Sequence, residues 1–461
     1  MTETRVEEDF LGEMAVPTEA YYGIQTWRAA QNFQISGLRS QPIFNRAFAE
    51  IKKAAALVHC ELGELEPELT EAIVQAADEV IDGQYEDQFV VDVFQAGAGT
   101  SHHMNVNELL ANRAAEILGG ERGTYDLVHP NDDVNMGQST NDVFPTAMRI
   151  AALLRCVELV AEMRSLADEF RARAREFSQI GKSGRTHLQD AVPIKLGHEF
   201  GAYADAVAHA GDHVREQMDA LRTLGIGGSA AGTGLNTHEG YREKVVDLLS
   251  KQTGLELRGS DNLFEAMQSM APFTHLSGSL RSAAVELNRI SNDLRLLSSG
   301  PTTGLGEIRL PAVQPGSSIM PGKVNPVIPE CMNMICFQVI GNDSCISHAA
   351  EAGQMELNVM MPIIKFNILW SLKILTNGCK MLRDRCVEGV EANEETCQRY
   401  LDSTIGLATV LNPVVGYHQA GEIAREAART GRTIREIVLE KDILSEEEFN
   451  RLQEEAAGTT E

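Results

Sequence analysis

The stretch GSSIMPGKVNP, residues 316–326, places two serine hydroxyls, a lysine ammonium and an asparagine amide between glycines and prolines. A nucleotide-binding phosphate loop needs four residues between its first glycine and a Gly-Lys pair, followed by Ser or Thr. Here five residues separate Gly316 from Gly322, and Val324 follows Lys323. The spacing therefore disfavours a phosphate loop, and this group of hydroxyls, ammonium and amide needs another chemistry.

Three further stretches concentrate small polar residues: QAGAGTSHHMNVNE (95–108), HPNDDVNMGQSTND (129–142) and SGRTHLQD (183–190). We expect all four stretches to lie beside helices, since 95–108 runs into an apolar-periodic segment and 139–142 precedes a long helix after Pro145. Ser, Thr, Asn and Asp are also the usual N-cap residues, so capping explains any single stretch as well as function does. Four such stretches favour a site where amide N–H groups, hydroxyls and a few cations meet an anion.

Two other features predict no ligand. GIGGSA (225–230) imitates a dinucleotide fingerprint, but no βαβ unit surrounds it, so we interpret it as a loop that ends a helix. His102 and His103 are adjacent, which is poor spacing for two ligands on one helix face. Neither a metal nor a cofactor is therefore predicted.

The composition favours a large helical protein with an acidic surface. The chain has 461 residues, of which 43% are apolar and only 5% aromatic, and Ala and Leu are abundant. The formal net charge of −26 argues against nucleic acid and against anionic membrane surfaces as partners. A site for an anion must therefore create positive potential locally.

Targeting and redox signals point to the cytoplasm. The start, MTETRVEEDFLGE, is acidic and polar rather than basic and then apolar, and no run of about 18 uncharged apolar residues would span a bilayer. The eight cysteines form no C-x-x-C pair, which is typical of reduced thiols in a cytosolic chain.

Long periodic segments must position the polar stretches. Residues 145–180 repeat apolar side chains in steps of three and four, which predicts a helix on the order of 50 Å long. Residues 276–297 alternate steps of four and three, as in a coiled-coil seam. Residues 354–381 are apolar nearly all round, which predicts a buried helix with a kink at Pro362. Helices of this kind pack side by side and often against copies of themselves.

The pattern predicts a mainly α protein of three domains. These are an N-terminal helical domain (1–138), a central bundle of long helices (139–395) and a small C-terminal helical domain (396–461). TIREIVLEKDILSEEEFNRL, in the last of these, is typical of a small helical appendage.

The loop at 316–326 resembles, without a gap, the signature loop of the aspartase/fumarase superfamily. The other three polar stretches resemble that superfamily's further substrate-contacting regions, in the same order. The resemblance runs from RVEEDFLGE to TIREIVLE. It implies a mainly α fold of three domains, and a homotetramer whose central helices form a twenty-helix core. It also implies active sites that are each built from three subunits.

The resemblance implies an elimination reaction on a small dicarboxylate. The superfamily cleaves a C–N or C–O bond beside a carboxylate and releases fumarate or a fumarate-bearing product. Removing the proton next to the carboxylate creates a doubly charged enediolate, which donors fixed in advance stabilise best.

Roles follow residue by residue from the resemblance. Ser317 is the implied base, activated when the loop closes over the substrate, and His187 is the second catalytic residue. The implied contacts to the β-carboxylate are Thr100, Ser139, Thr140 and Ser318. The implied contacts to the α-carboxylate are Lys323 and Asn325. The implied contacts to the leaving group and the α side are Asn141, Thr186 and His187.

Local stretches separate two reactions within the superfamily. EAYYGIQT, QSTND, LNVMMP and STIGLATVLNP are more similar to aspartases, which implies reversible deamination of L-aspartate to fumarate and ammonia. HPNDDVN instead resembles the fumarase stretch that forms a second dicarboxylate site, here His129, Asn131 and Asp132. His187 with Glu330 would also suit the pair that handles water in class II fumarases. Fumarate hydratase therefore remains the alternative, together with a helical scaffold that has lost catalysis.

Overall fold

Helices dominate the computed structural model, which describes residues 3–458. Within that range it has fifteen α-helices and eight short strands, which confirms the mainly α prediction. No helix among these residues is long and apolar enough to cross a membrane.

The helices follow one another along the chain as α1 (Ile24–Asn32), α2 (Pro42–Glu61), α3 (Pro67–Ile81), α4 (Thr100–Ile117), α5 (Thr140–Glu176), α6 (Leu196–Leu221), α7 (Tyr241–Thr253), α8 (Leu263–Gln268), α9 (Ala271–Leu297), α10 (Val327–Glu351), α11 (Met361–Arg385), α12 (Glu394–Ser403), α13 (Asn412–Thr430), α14 (Ile434–Glu440) and α15 (Glu446–Ala456). The strands are β1 (Thr4–Asp9), β2 (Gly12–Pro17), β3 (Gly181–Thr186), β4 (Gln189–Lys195), β5 (Thr223–Leu224), β6 (Arg258–Gly259), β7 (Ile308–Arg309) and β8 (Glu391–Ala392). They form four two-stranded sheets, of which only β5–β6 is parallel.

The chain divides into two compact units, each built from three segments. The first takes the described residues up to Leu159, with His213–Arg281 and Gln338–Ile374. The second takes Val160–Asp212, Ser282–Phe337 and the described residues from Leu375 onwards. The three-domain division at 138 and 395 stays a prediction.

In the first unit, α2 packs against α3 and α7, and α3 packs against α4. Phe44 and Phe48 on α2 are fully buried and meet Phe144 of α5, with ring centroids 5.2 and 5.8 Å away. This aromatic cluster holds the start of α5 against α2, and so fixes the polar stretch that precedes α5.

The long helix starts earlier than its apolar repeat predicts, at Thr140 rather than after Pro145. Asp142 explains the early start, because its Oδ1 accepts from the backbone N–H of Ser139 at 2.9 Å. The Ser139 hydroxyl in turn accepts from the N–H of Asn141 at 3.2 Å. These bonds satisfy N–H groups that the first turn of a helix leaves without partners.

Two predictions about the central helices have different outcomes. The seam on α9 is confirmed as a buried face, made of Leu276, Leu280, Ala283, Leu287, Ile290, Leu294 and Leu297. The helix predicted over 354–381 is wrong at its start, because α11 begins at Met361. Pro362 therefore lies in the first turn, where its missing N–H removes no hydrogen bond, and it does not kink the helix.

In the second unit, the C-terminal helices form their own apolar cluster, which includes Leu411, Ile437 and Phe449. Each of the last two helices begins with a capping box, Thr433 with Glu436 before α14 and Ser445 with Glu448 before α15. Both boxes are visible in the sequence as S/T-x-x-E, and the predicted helical appendage is confirmed.

Candidate active site

Thr100 is placed by a glycine that no other residue could replace. Gly99 has a φ of 100°, and a Cβ built on it would lie 2.1 Å from the Phe144 ring. This close approach brings the loop onto the aromatic cluster and starts α4 at Thr100. The Thr100 hydroxyl donates to the carbonyl of Gly97 at 2.7 Å on an exposed surface, so its oxygen can also accept a bond.

The start of α5 presents Ser139, Thr140 and Asn141, all of them half-buried. Asn141 donates through Nδ2 to the carbonyl of Ala230 at 2.8 Å. Asp142 is fully buried, and its Oδ2 accepts from the N–H groups of Gly227 and Ser229, each at 3.0 Å.

The role of GIGGSA follows from these bonds. Its backbone N–H groups bind the Asp142 carboxylate of the protein itself. The loop is therefore docked onto the start of α5, and the sequence pattern that imitates a nucleotide site serves an internal anion. Burial raises the pKa of Asp142 to about 6, although the N–H donors act in the opposite direction.

A buried chain of hydrogen bonds supports Thr140 from behind. The Thr140 hydroxyl oxygen lies 2.8 Å from Nδ1 of His103, and Nε2 of that ring lies 2.7 Å from Nζ of Lys52. Lys52 also donates to the amide oxygens of Asn135 at 2.8 Å and Gln138 at 2.9 Å. Burial lowers the pKa of both Lys52 and His103 well below their ordinary values.

Sequence reasoning missed Lys52, and it considered His103 only as a metal ligand. One signal was available, because Lys52 follows Phe44 and Phe48 in steps of four on α2. That spacing places the lysine on the buried face of the helix. A buried lysine needs partners, which points to a polar network at this level. Among residues 3–458 no group of three His, Cys, Asp or Glu side chains is arranged to hold a metal ion.

Thr186 and His187 lie at the tip of a β-hairpin. The expectation that 183–190 sits at a helix junction is wrong, because β3 and β4 pair there with Thr186 opposite Gln189. His187 and Leu188 form the two-residue turn with φ of 56° and 60°. Both values lie in the left-handed region, where Asn and Gly are usual, so the sequence carries no hairpin signal.

The base of this hairpin is fixed by buried charges. Arg185 donates to both carboxylate oxygens of Glu307, at 2.9 and 3.0 Å, and Glu307 has no exposed surface. Lys182 lies 2.8 Å from the same carboxylate and also pairs with Glu199. Two cations and two carboxylates balance each other here, which offsets the cost of burying them. The rigid base therefore supports an exposed tip that carries Thr186 and His187.

The loop 316–326 is closed at its ends and exposed in its middle. Gly316 donates its N–H to the carbonyl of Lys323 at 2.8 Å, and Asn325 donates through Nδ2 to the carbonyl of Gly316 at 2.7 Å. Ser317 Oγ accepts from the N–H groups of Ile319 at 3.2 Å and Met320 at 3.0 Å. Two N–H donors on one hydroxyl oxygen stabilise negative charge there, which is what a serine base requires. Ser318 follows on the exposed surface.

A cavity of about 480 Å³ lies beside this loop. Lys323 and Asn325 line it together with Arg295 and Arg309, and none of its lining residues is acidic, although Arg309 lies 3.3 Å from the Glu391 carboxylate. The sequence predicts that an anion site must create positive potential against a net charge of −26, and cations outnumber anions on the lining of this cavity.

The three residues of the possible second site share one turn. Nδ1 of His129 accepts from the N–H groups of Asn131 at 3.3 Å and Asp132 at 3.1 Å. The same nitrogen lies 3.2 Å from the Asp132 carboxylate, which is largely exposed. The turn therefore brings His129, Asn131 and Asp132 together on the surface.

The predicted site residues fall into two sets. The first unit holds Thr100, Ser139, Thr140 and Asn141, together with His129, Asn131 and Asp132. The second unit holds Thr186, His187, Ser317, Ser318, Lys323 and Asn325. Glu330 lies in the first turn of α10, also in the second unit.

Comparison with known proteins gives matches over nearly the whole chain. The family model described as Lyase matches residues 12–341, and one described as Fumarase C C-terminus matches residues 407–454. Aspartate ammonia-lyase of a Bacillus species is 48% identical, covering 98% of this chain and 96% of its own length. Fumarate hydratase class II of Thermosynechococcus vestitus is 45% identical, and the match covers 98% of this chain and 97% of that protein. The crystal structure of fumarate lyase:delta crystallin from Brucella melitensis has a TM-score of 0.95 at 50% identity and covers 98% of both chains.

Proposed function

We propose, from the premise that this chain belongs to the lyase family matched over residues 12–341, that it deaminates L-aspartate reversibly to fumarate and ammonia. The predicted superfamily and the prediction of a lyase are confirmed by the family match and by relatives near half identity. The family match and the aspartate ammonia-lyase relatives support a carbon–nitrogen lyase.

The observation that carries this proposal is the Ser317 loop with its cationic cavity. The Ser317 oxygen receives two backbone N–H groups, and Lys323 and Asn325 line an anion-attracting cavity beside it. A base and a carboxylate clamp on one loop suit the removal of a proton next to a carboxylate. The relatives named aspartate ammonia-lyase favour an amino group as the leaving group.

The proposed mechanism is an anti elimination through an enediolate. Ser317, as an alkoxide, takes the proton on the carbon beside the β-carboxylate while Lys323 and Asn325 hold the α-carboxylate. The electron pair of the broken C–H bond spreads onto the β-carboxylate, where Ser139, Thr140 and Ser318 donate to the growing charge, and Thr100 joins them once its hydroxyl turns from the Gly97 carbonyl to the substrate. Collapse of the enediolate then expels ammonia and leaves fumarate. Asn141, Thr186 and His187 contact the leaving group and the α side.

Closure of the loop 316–326 completes the proposed site. Its middle is exposed, with Ile319 83% exposed, while its ends are tied by the bonds of Gly316 and Asn325. A segment that is fixed at both ends and bare between them can fold over a substrate without moving its supports. Closure would exclude water and strengthen every contact to the enediolate.

One observation keeps fumarate hydratase as a second candidate. The His129 turn retains the three residues of the possible second dicarboxylate site, with the ring accepting two backbone N–H groups. A class II fumarate hydratase is also among the similar proteins at 45% identity. Hydroxide is a poor leaving group, so this reaction asks His187 and Glu330 to supply a proton.

We further propose a cytoplasmic homotetramer whose active sites draw on several copies. Large apolar side chains are exposed along the long helices, including Met334 and Phe337 on α10 and Trp370 on α11. Exposed apolar residues three apart on one helix are costly in water and are typical of an obligate interface. Sedimentation should give a tetramer, and a stable monomer with full activity would contradict shared sites.

The deciding experiment compares turnover of L-aspartate and L-malate by the unaltered protein, followed through the ultraviolet absorbance of fumarate. We expect strong preference for L-aspartate. Preference for L-malate would transfer the assignment to fumarate hydratase. A folded tetramer without activity on either substrate would support the hypothesis of a helical scaffold that has lost catalysis.

A further inference from the structure

Lys52 is a fully buried lysine whose three partners are all fixed. The side chain has no exposed surface, and Nζ lies within 2.9 Å of Asn135 Oδ1, Gln138 Oε1 and His103 Nε2. Neither side-chain amide can be flipped without losing hydrogen bonds. Asn135 Nδ2 donates to the carbonyl of Gln138, and Gln138 Nε2 donates to the carbonyls of Val134 and Met136, all at 3.2 Å. Both amide oxygens therefore face the lysine as acceptors.

The ammonium form of Lys52 determines the tautomer of His103. An ammonium has three donors and no lone pair, and two donors are used by the amide oxygens. The third meets Nε2 of His103 at 2.7 Å, so Nε2 must accept. The proton of the neutral ring then lies on Nδ1, which faces the Thr140 oxygen at 2.8 Å.

The charged surroundings are compatible with this state. Burial lowers the pKa of Lys52, but the Asp142 carboxylate acts in the opposite direction. Burial and the positive charge of Lys52 lower the pKa of His103, and His102 has a smaller effect in the same direction. The neutral form of His103 is therefore favoured, while the two amide oxygens and the Asp142 carboxylate favour the ammonium form of Lys52.

From this geometry we propose that Lys52 and His103 are positioning residues that aim the Thr140 hydroxyl proton at the substrate carboxylate. If Nδ1 donates, the Thr140 oxygen accepts, and its own proton must point away from His103. A neutral lysine would reverse every donor: Nε2 would donate to the amine, Nδ1 would accept, and the Thr140 proton would turn inward. The inference rests on the proposed function in one respect, the contact between Thr140 and the carboxylate.

A measurement on the unaltered protein tests the first step. Solid-state NMR of the tetramer labelled with ¹⁵N-histidine should show His103 as a neutral ring protonated on Nδ1. The His103 signal is identified as the one missing from His103→Asn. A ring protonated on Nε2 at neutral pH would overturn the proposal, whatever the variants described next do.

A double-mutant cycle tests whether Lys52 acts through Thr140, with fumarate as the probe and calorimetry as the readout. Lys52→Met and Thr140→Val should each weaken fumarate binding by about tenfold, the effect of one hydrogen bond to a charged group. The double variant should also bind fumarate only about tenfold more weakly, because Lys52 acts through the Thr140 hydroxyl and its loss has no further effect once that hydroxyl is absent. In a Thr140→Ser background, which keeps the hydroxyl, Lys52→Met should again cost about tenfold.

Other outcomes contradict the proposal. A hundredfold loss in the double variant would make the two residues independent, and unchanged binding by Thr140→Val would remove the contact itself. If Lys52→Met does not fold, the cycle is run with His103→Leu. In that cycle His103→Asn is the control, because its amide can still donate from the position of Nδ1, and it should retain fumarate binding within about threefold. Weaker binding by His103→Leu but not by His103→Asn would then be due to loss of the hydrogen-bond donor to Thr140.

Failure of this inference can be told apart from failure of the proposed function. Fumarate is the product of both candidate reactions, so a preference for L-malate over L-aspartate leaves the binding cycle unaffected. Loss of coupling between Lys52 and Thr140 in a protein that turns over L-aspartate would reject the inference alone. A protein that binds no fumarate would reject it together with the assignment.

Discussion

The start of α5 and the loop 316–326 carry the same kinds of side chain but are held in opposite ways. Behind Thr140 stand a neutral histidine and a fully buried lysine, and behind Asn141 lies the docked loop 225–230. The loop 316–326 instead has its hydrogen bonds at its ends and within its own serine turn, and Ile319, Met320 and Val324 are exposed. One region is prepared before the substrate arrives, and the other is placed to close on it afterwards.

The difference indicates a division of labour. Stabilising a charge that develops during reaction needs donors that do not have to reorganise, which a buried network provides. Delivering a base while excluding water needs a segment that can move, which a tied loop provides. Changes at Ser317 and Asp142 alter these two regions in turn, and a change at His187 alters the hairpin tip outside both.

The largest effect is expected at Ser317 in the closing loop. Ser317→Ala should lower kcat by on the order of 10³-fold, because it removes the proposed base. Fumarate binding, measured by calorimetry, should stay within a few-fold of the unaltered protein. The matched variant Lys323→Ala should show the reverse pattern, with a raised KM and a smaller loss of kcat, since it removes part of the clamp. Near-normal turnover by Ser317→Ala would exclude the serine and leave His187 as the next candidate base.

The next effect concerns the stability of the prepared region at Asp142. Burial raises the pKa of this carboxyl from 3.8 to about 6, so the folded state binds its proton more tightly than the unfolded state does. The contribution of the group is therefore fully present below pH 3.8 and is lost as the pH rises through about 6. Relative to Asp142→Asn, which does not titrate, the unaltered protein should lose about 3 kcal/mol of unfolding free energy across this window.

Denaturant unfolding of both proteins at the two ends of the window, at one protein concentration, measures this difference. Other buried carboxyls, such as Glu108 with its pKa raised to about 7, titrate in both proteins and cancel. Asp82→Asn, which makes the same substitution at an exposed position, is the matched control. Equal pH dependence for Asp142→Asn and the unaltered protein would mean that the backbone N–H donors fully offset the cost of burying the Asp142 carboxylate.

The smallest effect is expected at His187 on the exposed hairpin tip. An ammonium leaving group already carries its proton, so loss of ammonia needs no acid. His187→Gln should therefore keep L-aspartate turnover within about tenfold, since it removes one contact of the leaving group. Initial rates at saturating L-aspartate measure this, with the exposed His213→Gln as the control. A severe loss would favour the hydratase reading, in which His187 supplies a proton.

Much of the fold follows from local patterns. The four-three repeat on α9 predicts its buried face, because residues of one helix stripe share one environment wherever that helix packs. The capping boxes of α14 and α15 predict their starts, since Thr433 and Ser445 bond to N–H groups only three residues away. The polar stretches at 95–108 and 129–142 are also visible locally, because each precedes an apolar-periodic segment.

Other features depend on partners far along the chain. His187 and Leu188 adopt left-handed turn conformations without Asn or Gly, because the Arg185–Glu307 ion pair and the pairing of β3 with β4 fix the hairpin around them. The start of α11 at Met361 is set by Asn358, whose side chain bonds to the carbonyls of Ala349 and Ala350 and to the N–H of Met360. The hydrophobic periodicity of the sequence does not reveal such side-chain hydrogen bonds.

The sequence by itself determined the residue types of the candidate site, its long helices and its need for local positive charge. Only the tertiary structure decided which buried groups support that site. Lys52, His103 and Asn135 come from α2, α4 and the turn before α5, and they meet only when those segments pack. The physical reason is that periodicity and capping act within a turn or two of one helix. The cost of burying a charge, in contrast, is met by partners that packing brings from distant parts of the chain.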